Sequence, residues 1–354
     1  MTATQSEHIR QAVALHNARP AFVKLSDWVR NSPEGGIAVM FVVVQVVCIV
    51  GSLLFPDTFR YLLPANIAVT LKSIAPLGLM ALGVSVLMIA GEFDLSVGAQ
   101  YSFLSIVAAT ISNRLGGDHE AANASMLAPF VGLIVALALG VLIGCLHAAI
   151  TLKFAIPSFI TTLGGMLVWR GATLLYHGAT SLRFRPTEPF MSIFGGEFGV
   201  ISSMIVWFGV FSVMFYYLLH RHRLGNHFFA VGGNRNAAVA IGIRPGRTKL
   251  IAFAIAGFMA ALSGVIAATR VGSIQPGGGL GMELTSIAAC VIGGAALTGG
   301  RGSILGVVLG TALVFTIQDI LLLLQAPGFY FDMFVGALIV IAVVMNTAIR
   351  NSRT

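Results

Sequence analysis

Charge is what this sequence has least of. Asp, Glu, Lys and Arg make up 10% of its 354 residues, against about a quarter in an ordinary soluble domain. Cysteine is scarce as well: Cys48, Cys145 and Cys290 fall in apolar stretches without CxxC spacing, so neither a disulfide framework nor a metal set is implied. The glycine-rich run GGAALTGGRGS (Gly293 to Ser303) lacks the Lys-Ser or Lys-Thr of a phosphate loop and has no strand before it, so ATP binding by that route is excluded. The net charge of +8 comes without an aromatic-interleaved basic face, which argues against nucleic acid. No short apolar stretch stands near the start, as a cleaved signal peptide would require. The polar residues 1–36, carrying Arg10, Arg19, Lys24 and Arg30, are therefore expected to be a retained tail. Within it, Pro20 to Val29 reads either as a short helix on a membrane surface or as a flexible segment.

What is abundant is apolar, at 57%, with 41 glycines. A spanning helix needs about 20 such residues. Stretches near that length lie at about 37–55, 67–90, 98–114, 127–151, 156–178, 199–219, 250–270, 284–299, 303–324 and 331–349. The fold expected is all-α and polytopic, with about ten transmembrane helices in a region from 37 to 349. The eighth stretch is short and runs into glycines.

Basic residues set the expected orientation. With an even number of spans and the N-terminus inside, one side collects the four tail residues, Lys153, six residues from Arg221 to Lys249, Arg301, Arg350 and Arg353. The other side collects only Arg60, Arg114, Arg183, Arg185 and Arg270. Both termini, including residues 350–354, are then expected in the cytoplasm. Lys72 and Arg170 fall inside spans, where each either snorkels to an interface or faces the protein interior.

Two features bear on function. GEFDLSVG, residues 91–98, places Glu92 and Asp94 between glycines and between two spans. Such a break is either a short solvated loop or buried backbone beside a water-filled path, and the second reading is favoured. Residues 83–98 and 287–303 also resemble each other loosely, as two related halves of a transporter would. The second feature is the hydrophilic stretch 220–249, too small for an enzyme. There Gly232 and Gly233 can form a turn, Asn234 suits a helix N-cap, and Ala237, Ala238, Val239 and Ile241 precede a stop at Gly242. The resulting short helix either rests on lipid headgroups or docks into a partner's groove.

These residues resemble a known family. GEFDLSVG matches, apart from Glu92, the hallmark of the permease subunits of bacterial ABC importers for simple sugars of the ribose, xylose and galactose type. IPSFITTLGGMLVWRG (Ile156 to Gly171), FFAVGGNRNAAVAIGI (Phe228 to Ile243) and the run from Gln275 to Gly306 match in the same order. Branched-chain amino acid permeases form a related group that usually lacks the Asp-Leu-Ser core. The resemblance implies a non-enzymatic transport subunit without catalytic residues, metal or cofactor of its own. It also implies three partners: a cytoplasmic ABC ATPase, often of two fused halves, that binds ATP and Mg²⁺; a second permease copy or similar subunit; and a periplasmic solute-binding protein. In that family the loop helix couples to the ATPase, which carries over to Gly232, Gly233, Asn234, Ala237, Ala238 and Gly242.

The expected mechanism is alternating access driven through that helix. Its path or gate would be marked by Glu92, Asp94, Ser96, Gly293, Gly294, Gly299 and Gly300. Asp94 and Ser96 are assigned to capping the helix that restarts at Val97 rather than to sugar contact. Asn66, Gln100, Tyr101, Trp169 and Gln318 are the candidate solute-binding side chains. The alternatives are the same architecture carrying a polyol, an amino acid or a nucleoside, and an ion-coupled secondary transporter using Glu92 and Asp94.

Overall fold

The computed structural model describes residues 32, 34–118, 120 and 124–351, so the tail segment Pro20 to Val29 and Arg353 lie outside the described residues. A helix occupies each of the ten apolar stretches. In chain order the helices are α1 (Gly35–Leu54), α2 (Pro64–Ile89), α3 (Val97–Arg114), α4 (Ala128–Phe154), α5 (Ser158–His177), α6 (Phe190–Gly195), α7 (Ser203–His220), α8 (Arg223–Gly233), α9 (Arg235–Ala240), α10 (Pro245–Val271), α11 (Met282–Ile292), α12 (Ile304–Leu323) and α13 (Phe329–Asn351). Four two-residue strands complete the order: β1 (Leu182–Arg183), β2 (Glu197–Phe198), β3 (Ile201–Ser202) and β4 (Ser273–Ile274). Helices α1, α2, α4, α7, α10 and α12 are long and apolar enough to cross a bilayer. Helices α3 and α5 have the length but more polar residues. At 11 residues α11 extends only about 16 Å, half the hydrocarbon thickness.

The core forms around α2 and α10. Every α2 residue from Ile74 to Ile89 is buried, the mark of a helix that is apolar all round and surrounded by others. Helix α10 packs against α2, α3 and α4. Where lipid replaces water, apolar area alone does not drive helices together, so close backbone approach through small residues must. Gly140 and Gly257 meet reciprocally: a Cβ at either would lie 2.4 or 2.0 Å from the other's carbonyl oxygen. Gly144 abuts the carbonyl of Phe253, Gly132 that of Ala108 and Gly264 that of Tyr101 in the same way.

Charged residues gather at the two ends of the bundle. At one end β1 pairs antiparallel with β4, Leu182 opposite Ile274 and Arg183 opposite Ser273, bringing together Arg114, Arg183, Arg185 and Arg270. There Glu120 accepts from Arg183 at 2.5 Å and from Arg185 at 2.9 Å, and the Arg183 hydrogen bond holds its carboxyl below the usual carboxylate range. Lys72, the residue left open by the sequence, reaches the same end and pairs with Glu197. Lys249, beside Glu92, and Arg301, next to the Gly300 that bonds Ile89, stand at the opposite end, and Lys153 is in the last turn of α4.

Backbone-to-backbone packing predicts a sharp contrast between glycines. Gly257→Val should cost at least about 3 kcal/mol, because a backbone carbonyl cannot move aside. Gly246→Ala, with nothing within 4 Å of its added Cβ, should be neutral. Melting of the purified chain in detergent measures both, and equal melting points would contradict the packing account.

Candidate functional site

Helix α2 ends in a Schellman motif. Gly91, at φ +81°, donates its N–H to the carbonyl of Met88 at 2.9 Å, and Glu92 donates to Leu87 at 3.1 Å. The chain then runs without helix until Val97. Its peptide groups are satisfied by side chains: Phe93 N–H donates to Ser158 Oγ and Leu95 N–H to Thr162 Oγ1, each at 3.1 Å, both on the first turns of α5. Ser96 N–H donates to Asp94 Oδ1 at 2.7 Å. The octet is thus buried backbone and not a solvated loop. The hydroxyls that make it possible lie in the Ile156–Gly171 motif.

Asp94 is fully buried and is the hub of a polar network. Ser96 Oγ donates to Asp94 Oδ1 at 2.5 Å, and Gln100 Nε2 lies 2.8 Å from Ser96 Oγ and 3.3 Å from Asp94 Oδ2. His147, on α4, joins it. Trp169 Nε1 donates to His147 Nε2 at 3.3 Å, which leaves the ring proton on Nδ1, 3.3 Å from Ser96 Oγ and 3.6 Å from Asp94 Oδ2. The capping expectation fails for Ser96 and holds for Asp94 only one position outside the helix. Asp94 takes a backbone N–H one position before the helix, whereas Ser96 makes no cap bond and spends its hydroxyl on Asp94.

Glu92, the departure from the family hallmark, pairs with Lys249 at the start of α10. Beside it three segments meet backbone to backbone. Gly300 N–H donates to Ile89 O at 2.9 Å, tying the second break to the end of α2. A Cβ on Gly232, in the last turn of α8, would lie 1.9 Å from that same Ile89 oxygen. Gly299 and Gly300, at φ +82° and +73°, approach Gly91 and Gly233 so closely that added Cβ atoms would sit 2.8 and 2.4 Å from their Cα atoms. Gly293 and Gly294 close α11 with the same Schellman pattern that closes α2, and Gly293 stacks on Gly306 of α12.

The loop is more ordered than expected. Gly232 and Gly233 end an eleven-residue helix, α8, that sequence reasoning read as loop and turn. Asn234 Oδ1 does accept the Ala237 N–H, at 3.0 Å, and α9 stops at Gly242, φ +83°. Ala238 is buried within the chain, while Val239 and Ile241 are 54% and 74% exposed.

The remaining candidates separate. Gln100 and Trp169 belong to the Asp94 network. Tyr101 lines a distinct cavity of about 210 Å³ with Ser105, Gly264 and Gln275. Asn66 sits at the other end of the bundle, donating to Asp319 Oδ2 at 2.8 Å beside a Tyr61–Gln45–Thr316 chain, and Gln318 is half-buried on α12. Sequence reasoning missed His147, although a lone histidine within an apolar run was the available signal. It also missed the partner of Arg170: Nη2 lies 3.1 Å from Glu283 Oε1 in the first turn of α11.

Comparison with known proteins places this arrangement. The model of the family described as branched-chain amino acid transport system / permease component matches residues 66–343. The ribose import permease protein of Bacillus subtilis (strain 168) is 33% identical over 302 residues, 85% of this chain and 89% of that protein. The L-arabinose ABC transporter permease protein of Azospirillum brasilense is 32% identical over 90% of this chain and 89% of its own length. The autoinducer 2 import system permease protein of Escherichia coli O9:H4 (strain HS) is 32% identical over 82% of each. No solved structure matches. With residues 66–343, about four-fifths of its length, matched by that family's model, this chain belongs to the branched-chain amino acid transport system permease family.

Proposed function

We propose that the chain is the membrane-spanning translocation subunit of an ATP-driven importer for a simple sugar. The glycine junction carries the reading: α8 touches both broken segments directly through Gly91, Gly232, Gly299 and Gly300, so a push on the loop reaches the path without an intervening helix. The names of the ribose and arabinose permeases support a sugar as cargo. The partners are a cytoplasmic ABC ATPase that binds ATP and Mg²⁺, a second permease copy and a periplasmic solute-binding protein. The junction end faces the cytoplasm of the inner membrane, with both termini on that side, a reading supported by the excess of Lys and Arg in the sequence on that side. Residues 1–36 and 350–354 flank the permease region, and 220–249 is its coupling element.

In this mechanism the exposed face of α9, with Val239 and Ile241 between Arg235 and Arg244, seats in a groove of the ATPase. ATP-driven closure displaces α8 and α9, and the junction carries the displacement to 91–98 and 293–303. Gln100 and Trp169 act by holding Asp94 and the break in register. An ion-coupled mechanism gains little support, since Glu92, Asp94, Glu283 and Asp319 each have a partner.

Two outcomes follow. Ile241→Glu should abolish ATP-driven sugar uptake at an unchanged membrane level, whereas Ala238→Glu should also lower that level, because Ala238 is packed inside; wild-type uptake by Ile241→Glu would refute docking through this face. Glu92→Gln, which strands the Lys249 charge, should reduce uptake about tenfold, and the exchange Glu92→Lys/Lys249→Glu should recover most of it. An exchange no better than the single variant would show that the pair does not link the break to α10.

A further inference from the structure

Arg170 stands twelve positions after Ser158 on α5, about 18 Å along the helix axis. A charge at that depth is costly unless it faces protein or water. Its side chain is 34% exposed while bonded to Glu283, whose residue is 4% exposed. Glu283 Oε2 is buried with no hydrogen-bond partner among the described residues. Buried carboxylate oxygens rarely go unpaired, so this one calls for an explanation. It lies against Gly98, where an added Cβ would be 2.1 Å away. Gly98 in turn forms part of a cavity of about 130 Å³, lined also by Ser102, Arg170, Thr173, Gly277 and Leu280. That volume corresponds to a few water molecules, enough for one edge of a small solute.

We propose that Arg170 and Glu283 form the station at which a neutral polyhydroxylated solute is recognised within the membrane. The guanidinium donates to one hydroxyl oxygen and Glu283 Oε2 accepts from the hydroxyl beside it. Because the two charges cancel, the station favours a neutral ligand over an ion of either sign. Gly98 covers Oε2 in this conformation, and Gly98 stands in the first turn of α3, directly after the break that the glycine junction joins to the loop. Displacement of the break therefore uncovers the acceptor, which ties recognition to the driven step. The inference rests on the import reading and adds the residues that select the cargo.

Uptake of radiolabelled D-ribose, L-arabinose and D-xylose, in cells expressing the complete transporter, tests it together with the melting point of the purified permease. Glu283→Gln and the exchange Arg170→Glu/Glu283→Arg should each lower uptake at least about tenfold, the scale of a lost charged hydrogen bond. The exchange should nevertheless keep the wild-type membrane level and melting point, since the pair is retained. Wild-type uptake by the exchange would reduce the pair to a structural tie and overturn the proposal. Leu174→Cys, on the same cavity wall, should react with a membrane-impermeant thiol reagent above the background of the unmodified chain; reaction only with a lipophilic reagent would place this wall against lipid and equally overturn it. ATP-independent uptake by the wild type would instead sink the import reading, whatever the Leu174→Cys result.

Discussion

A peptide N–H left unpaired in hydrocarbon costs several kcal/mol, and that penalty shapes everything around residues 91–98. A helix satisfies its own peptide groups, but a break cannot. Here the missing acceptors come from another helix, Ser158 and Thr162 of α5, and from the break's own Asp94. Once Asp94 is buried for this purpose its second oxygen must be satisfied too, which draws in Gln100, His147 and, behind His147, Trp169. The network is therefore a consequence of making the chain irregular at depth. Its polar residues occupy positions where a plain spanning helix would carry leucine.

Glycine gives the second constraint its form. Contacts between side chains yield by changing rotamer, but a backbone resting on a backbone has no such freedom. At Gly91, Gly232, Gly299 and Gly300 the loop and both breaks touch without side chains between them. Movement of one segment must displace the others or separate the contact. Such a junction is suited to passing on a displacement, in a way that a layer of leucines at the same place would not be. The reciprocal Gly140–Gly257 contact applies the same geometry to the opposite purpose, fixing α4 against α10.

Most of the architecture was legible in the sequence because it follows from local pattern. Apolar length located the helices, and the clustering of Lys and Arg anticipated which loops share an end. Asn234 and Gly242 bounded α9 through capping chemistry that involves only near neighbours. That 91–98 is buried and not a solvated loop was readable too, since two carboxylates between spans have no packing explanation. What was not legible depends on contacts distant in sequence. Nothing near Arg170 points to Glu283, more than a hundred positions away, and nothing near Glu92 points to Lys249. Helix α8 was missed because its glycines look like turn residues until Ile89 and Gly300 are placed against them. Asn66 and Gln318 were chosen for their polarity alone, which carries no information about which end of the bundle a residue occupies.

Three ion pairs at or within the spans differ in what they do. Lys72–Glu197 has one exposed partner, and such a pair contributes little, about 0–1 kcal/mol. Glu92–Lys249 and Arg170–Glu283 are more buried, yet burial does not make them strong sources of stability, because desolvation offsets most of the attraction and apolar replacements of similar volume often serve as well. Their positions are better explained by what they join. Each has one end in or against the 91–98 break, through Glu92 itself or through Gly98 on Glu283, and the other on a neighbouring helix: Lys249 on α10, and Arg170 on α5, which also holds the break through Ser158 and Thr162. Removing one partner is costly where keeping both is nearly neutral, so each pair resists being pulled apart while adding little to overall stability. The break is therefore tied to α10 by a charge pair of its own and, through Gly98, lies against a second pair anchored on α5.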